Sequence, residues 1–176
     1  MKTALLAMLI LVSAQAFALD LKGVELGKPA TAAQLKAAFG ATCNHGGKLF
    51  GEALPPTCKG RTQIDGVFVD IFVVLTDKGG RVSSITAHFD TNFYGQMERA
   101  ARAKYGAPDG TDHATLQNGF GARFDSQQLW WNDADGAQVN LFSHISATEG
   151  QLLLESASLR AADKAKQEAE RAKSKM

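Results

Sequence analysis

Two cysteines, four histidines and a pair of adjacent tryptophans are the residues of this 176-residue chain with the most chemistry to offer. Cys43 and Cys58 are its only thiols. In an oxidising compartment an even cysteine count reads as a disulfide, and here one intrachain pairing exists. The closed loop is short, and the chain-entropy model gives such a loop about 3 kcal/mol of stabilisation. Metal binding is the competing use of the thiols. It needs a full tetrahedral set, which His45 beside Cys43 does not complete without a second thiol pair.

The histidines His45, His88, His113 and His144 are scattered along the chain. His88 and His144 fall in expected strands, beside Phe89 and Ile145. Two imidazoles on neighbouring strands have a geometry that binds metal, but hydrogen-bonded or half-exposed rings are the commoner use. Hydrolysis needs a nucleophile, a base and a group to orient the base. The chain has no Gly-x-Ser-x-Gly and no His-Glu-x-x-His, and its thiols are expected to be oxidised. No catalytic residue, metal ligand or cofactor is therefore assigned, and the chain is not expected to be an enzyme. Asp133-x-Asp135-Gly136 has the outline of half a calcium loop. Trp131 stands where the first acidic ligand belongs and the closing glutamate is missing, so it reads as a hairpin turn.

Trp130 and Trp131 lie in an expected strand, where adjacent side chains point to opposite faces. One can be core while the other is free to anchor a partner, a role Trp often plays at interfaces. The other reading is that helices or the tail cover the second face. The Cys43–Cys58 loop carries Lys48, Leu49 and Phe50 among glycines and Pro55-Pro56. A tethered loop with an apolar tip is pre-organised for insertion into a partner's cleft. The alternative is a loop whose Leu49 and Phe50 fold back onto the body.

The elements that position these residues can be read from periodicity. Leu19 to Leu26 alternates as a short strand. Thr31 and Gln34 form a capping box for a helix carrying Leu35, Ala38 and Phe39 on one face and stopped by Gly40. Thr62 to Phe89 is a three-strand meander, and the run from Val67 to Leu75 is too apolar for an exposed strand. Asn92 is the expected cap of a second helix with a stripe of Phe93, Met97, Ala100, Ala101 and Tyr105, closed by Gly106 and Pro108. Ala114 to Phe124 has no clear assignment. Gln128 to Trp131 and Val139 to Phe142 are strands joined by the turn from Asn132 to Gly136, and Gln151 to Ser156 is the last strand. Arg160 to Lys175 is a charge-rich helix whose alanine seam buries little.

The two halves have similar form. One helix closes in Phe39-Gly40 and the other in Tyr105-Gly106, and each is followed by strands and a hairpin, at Asp77-Lys78-Gly79-Gly80 and at Asp133 to Gly136. Two helix-then-meander units with a disulfide-closed loop resemble the β-lactamase-inhibitor-like fold of small bacterial envelope proteins. The resemblance implies an α+β domain, with helices on one face of an antiparallel sheet, and a binding role. No family motif matches residue by residue, so no site residue is carried over.

Met1-Lys2-Thr3, the apolar stretch from Ala4 to Val12 and Ala16-Phe17-Ala18 have the form of a secretory signal peptide. That stretch is short of the roughly 20 residues that span a bilayer. The expected organisation is a signal peptide at 1–18, cleaved after Ala18, one domain at 19–158 with a pseudo-repeat of 19–90 and 91–158, and a helical tail at 159–176. The chain has 19 basic and 18 acidic residues, a balance that argues against nucleic acid as a partner. The tail is basic, with Arg160, Lys164, Lys166, Arg171, Lys173 and Lys175 against Asp163, Glu168 and Glu170, so weak contact with anionic lipid is within its reach. The expected function is a periplasmic or secreted protein-binding module, with inhibition as one form of its action, working through the stapled loop. The alternative is a small-molecule or metal-binding protein with a β-lined pocket near Trp130, His88 and His144.

Overall fold

The computed structural model describes residues 19–49, 52–76 and 80–173. The expected signal peptide, Phe50 and most of the Asp77–Gly80 turn lie outside them. The chain opens with a small ribbon of β1 (Asp20–Leu21) and β2 (Val24–Glu25) rather than one strand. It folds back at Lys22 and Gly23, both at positive φ, and thereby buries Leu19, Leu21 and Val24.

Helix α1 (Ala32–Phe39) has the expected capping box: Gln34 N–H donates to Thr31 Oγ1 and Thr31 N–H donates to Gln34 Oε1. Gly40 ends it at φ 63°, a left-handed conformation that glycine adopts at little cost. The stapled segment is more ordered than a loop. Strand β3 (Thr42–Asn44) leads into a hairpin of β4 (Gly47–Leu49) and β5 (Glu52–Leu54), and β6 (Thr57–Ile64) returns. Strands β7 (Val67–Leu75) and β8 (Val82–Asp90) complete the first meander.

The second unit begins differently from its expected cap. Asp90, not Asn92, supplies the capping oxygen, accepting from Asn92 N–H at 2.9 Å. It caps a short 3-10 turn over Thr91–Phe93, and α2 (Tyr94–Tyr105) follows with no side-chain cap of its own. The extra turn rotates Phe93 off the buried stripe and into solvent, while Met97 and Ala101 stay in the core. The segment without a sequence assignment is strand: β9 (Gly110–Gln117) and β10 (Arg123–Asn132) pair across a turn held by Asn118 Oδ1. Strands β11 (Gln138–Phe142) and β12 (Glu149–Glu155) follow, then helix α3 (Ala157–Lys173).

The fold is α+β, built on one eight-stranded antiparallel sheet in the order β3-β6-β7-β8-β12-β11-β10-β9. Each half is a meander, and the two meet where β8 pairs with β12. Alternate residues Val67, Val69, Ile71, Ile85, Ala87, Leu152, Leu154, Val139, Leu141, Leu129 and Trp131 form the buried face. Helix α1 touches this face through Thr62, whose hydroxyl donates to Ala38 O, and buries Leu35 and Phe39. Helix α2 meets it through Trp131, whose indole N–H donates to Gly106 O at 3.0 Å, and through Tyr94, bonded to Gln127. Burial pushes the Tyr94 hydroxyl up to about 12, with the Glu98 carboxylate adding to the rise. Tyr105 is raised by the same cause while it donates to Asp20 O at 2.7 Å. No residue of α3 is buried, and among the described residues no helix is long and apolar enough to cross a membrane.

Candidate functional site

The strand register places the other face of the sheet residue by residue. One row across it reads Gly110, Trp130, Asn140, Leu153, Thr86, Phe72, Lys59 and Thr42. The next reads Asp112, Gln128, Phe142, Gln151, His88, Asp70 and Arg61. The apolar run in β7 is therefore one-sided. Its odd-numbered residues from Val67 to Val73 are core, but Phe68 is 61% exposed and Phe72 is 37% exposed. Too apolar for an exposed strand by its sequence, the run nonetheless leaves one face in water. Asp70, between the two phenylalanines, is the residue in the sequence that marked the face as wet.

Cations from β6 stand over these rings. Lys59 Nζ lies 5.2 Å from the centroid of Phe72, and the Arg61 guanidinium lies 5.6 Å from that of Phe68. Arg61 also faces Asp70 at 3.6 Å, an exposed pair of small energetic weight. His88 stands beside Phe72 edge to face, with Nδ1 2.6 Å from Glu149 Oε1. A groove of about 510 Å³ runs past Arg61, Phe68, Asp70, His88 and Glu149.

The two tryptophans divide as strand geometry requires. Trp131 is core, and Trp130 is half-buried on the open face. The stapled loop stands at the other edge of the sheet. Cys43 and Cys58 are directly paired across β3 and β6 and form a disulfide with S–S 2.05 Å. Lys48 is exposed on β4, and Leu49 pairs with Glu52 in the hairpin. Lys48 and Leu49 thus belong to one projection, while Trp130 lies on the penultimate strand of the opposite half.

His88 and His144 do not converge. His88 is in β8, whereas His144 lies after β11, outside any strand, beside Ser143 and Phe124. His144 lines a separate groove of about 320 Å³ with Leu116, Gln128, Phe142 and Ile145. No group of three metal-ligating side chains occurs among the described residues. Asp133 folds as a plain turn, its carboxylate accepting from Asp135 N–H. Glu155, next to Ser84 and Gln138 on the open face, is raised above the usual carboxylate range by burial, with Asp163 adding and Arg160 opposing.

Sequence reasoning missed Phe68, Phe72, Lys59 and Arg61. The one signal for the two phenylalanines was Asp70 between them, the single polar residue of an otherwise apolar strand. No family model, curated protein or solved structure matches the chain.

Proposed function

We propose that this chain is an exported binding module that captures a protein partner on the β6–β7 half of its open sheet face, with the disulfide-closed hairpin at its edge. The observation that carries the reading is Phe68, 61% exposed at the second position of the nine-residue strand β7. A large aromatic held in water on a rigid sheet is costly for a free surface and typical of an interface core. Lys59 and Arg61 over Phe72 and Phe68 select a partner that offers carboxylates next to apolar groups. The stapled hairpin adds one more exposed cation, Lys48. Inhibition is one action such a surface supports. An oxidising compartment fits the disulfide, and periplasmic or secreted placement belongs to this reading.

The test is chemical cross-linking to envelope extract with the oxidised protein and three variants. Capture of a defined partner should be lost in the double variant Phe68→Ala, Phe72→Ala, fall with added salt, and survive in Trp130→Ala. Lys48→Glu should weaken it. Phe68→Ala should leave stability nearly unchanged, whereas Phe39→Ala in the core should cost about 3–5 kcal/mol. Equal capture by wild type and the double variant would overturn the assignment of the face.

A further inference from the structure

We infer that the β10–β11 half of the open face is a platform for a neutral sugar ring, centred on Trp130. This rests on residues separate from the partner-binding surface around Phe68, so either reading can fail alone.

Trp130 projects from the C-terminal end of β10 onto the open face, and its six-membered ring lies over Gly110 of β9. A side chain at Gly110 would occupy the space the ring fills. The bare strand thus lets the indole settle against the backbone and holds it there. The amides around it form one chain. Gln128 and Asn132 flank Trp130 on its own strand, and Asn140 is its direct cross-strand partner. Gln128 Nε2 donates to Asn140 Oδ1 at 2.9 Å, Asn140 Nδ2 to Gln138 Oε1 at 3.2 Å, and Gln138 Nε2 to Asn132 Oδ1 at 2.9 Å. Asn132 Nδ2 ends the chain on Asp109 Oδ2 at 3.1 Å.

Asp109 fixes the direction of this chain. A carboxylate only accepts, so Asn132 must present its nitrogen there and its oxygen to Gln138, and the order propagates to Gln128. Asn140 is buried beneath the others, while Gln128, Gln138 and Asn132 each keep one further N–H and Gln128 keeps its oxygen. The result is an aromatic surface bordered by oriented donors and acceptors whose side chains are already immobilised. A pyranose matches it, with an apolar C–H face for the ring and hydroxyls for the amides. Binding sites for small molecules pair apolar surface with a few placed polar groups in this way, and the immobilised side chains have little entropy left to lose. The carboxylates Asp109 and Asp112 disfavour an anionic ligand such as a nucleotide.

The oxidised protein, labelled with ¹⁵N, is titrated with cellohexaose, chitohexaose and maltohexaose, with uridine monophosphate as the anionic control, while the two indole N–H resonances are followed. At least one neutral oligosaccharide should shift the Trp130 resonance saturably and leave that of buried Trp131 in place. Trp130→Ala should bind that sugar at least tenfold more weakly, and Gln128→Ala several-fold more weakly. If Trp130→Ala does not fold, Trp130→Phe and Gln128→Ala carry the comparison. No shift with any of the three sugars, an equal response to the nucleotide, or undiminished binding by the folded variants would overturn the inference.

Discussion

The indole of Trp130 occupies the space above Gly110 that any other residue there would need for its Cβ. The two positions face each other directly across β10 and β9. Gly110→Ala should therefore displace the ring and cost about 1–3 kcal/mol, the usual range for overpacking. Denaturant titration gives the cost. The Trp130 indole resonance should move in the variant while that of Trp131 stays, because Trp131 is held on the other face by Gly106 O.

Reduction of the Cys43–Cys58 bond should lower stability by about 3 kcal/mol, as expected for opening a loop of about this length. The two sulfurs link the edge strand β3 to β6, and Cys58 is fully buried. Mass spectrometry of native material should show the oxidised form, two hydrogens lighter than the reduced one. Free thiols at both positions would remove the staple from the account of the hairpin.

The tail should be dispensable for folding. Helix α3 has no buried residue, and its link to the body includes Arg160 donating to Gly136 O at 3.0 Å. Truncation after Ser158 should leave the stability within about 1 kcal/mol of the full chain, as for other surface changes. Loss of cooperative unfolding on truncation would show that the helix holds the core together.

Glu155 should make the protein lose stability as pH rises from mildly acidic values. Its folded carboxyl titrates above the unfolded value of 4.5, chiefly because half-burial disfavours the charge. Above pH 4.5 the folded state then binds more protons than the unfolded state, so stability falls with pH until the folded group has also ionised. Glu155→Gln should flatten that part of the melting-temperature profile and raise the melting temperature at neutral pH. An unchanged profile would place the group in water.

Local features were legible from sequence because neighbouring residues decide them. The capping box of Thr31 and Gln34, the left-handed stop at Gly40, the Asp133 turn and the pairing of the only two cysteines each depend on contacts within a few residues or on elimination. The helices and most strands followed from helical and strand periods, and the resemblance they carry implied the α+β class. The second helix's cap was misplaced by two residues because Asp90 and Asn92 are both good caps, and only the end of β8 selects between them. What the tertiary structure alone decided is the open face. Phe68 and Phe72 look like core in a run of apolar residues, and only the side on which α1 and α2 pack puts them in water. The meeting of Trp130 with Gly110, the amide chain from Gln128 to Asp109 and the separation of His88 from His144 all follow from strand register and order. Those are set by burying the opposite face, through pairings between residues far apart in the chain, and no local pattern encodes them.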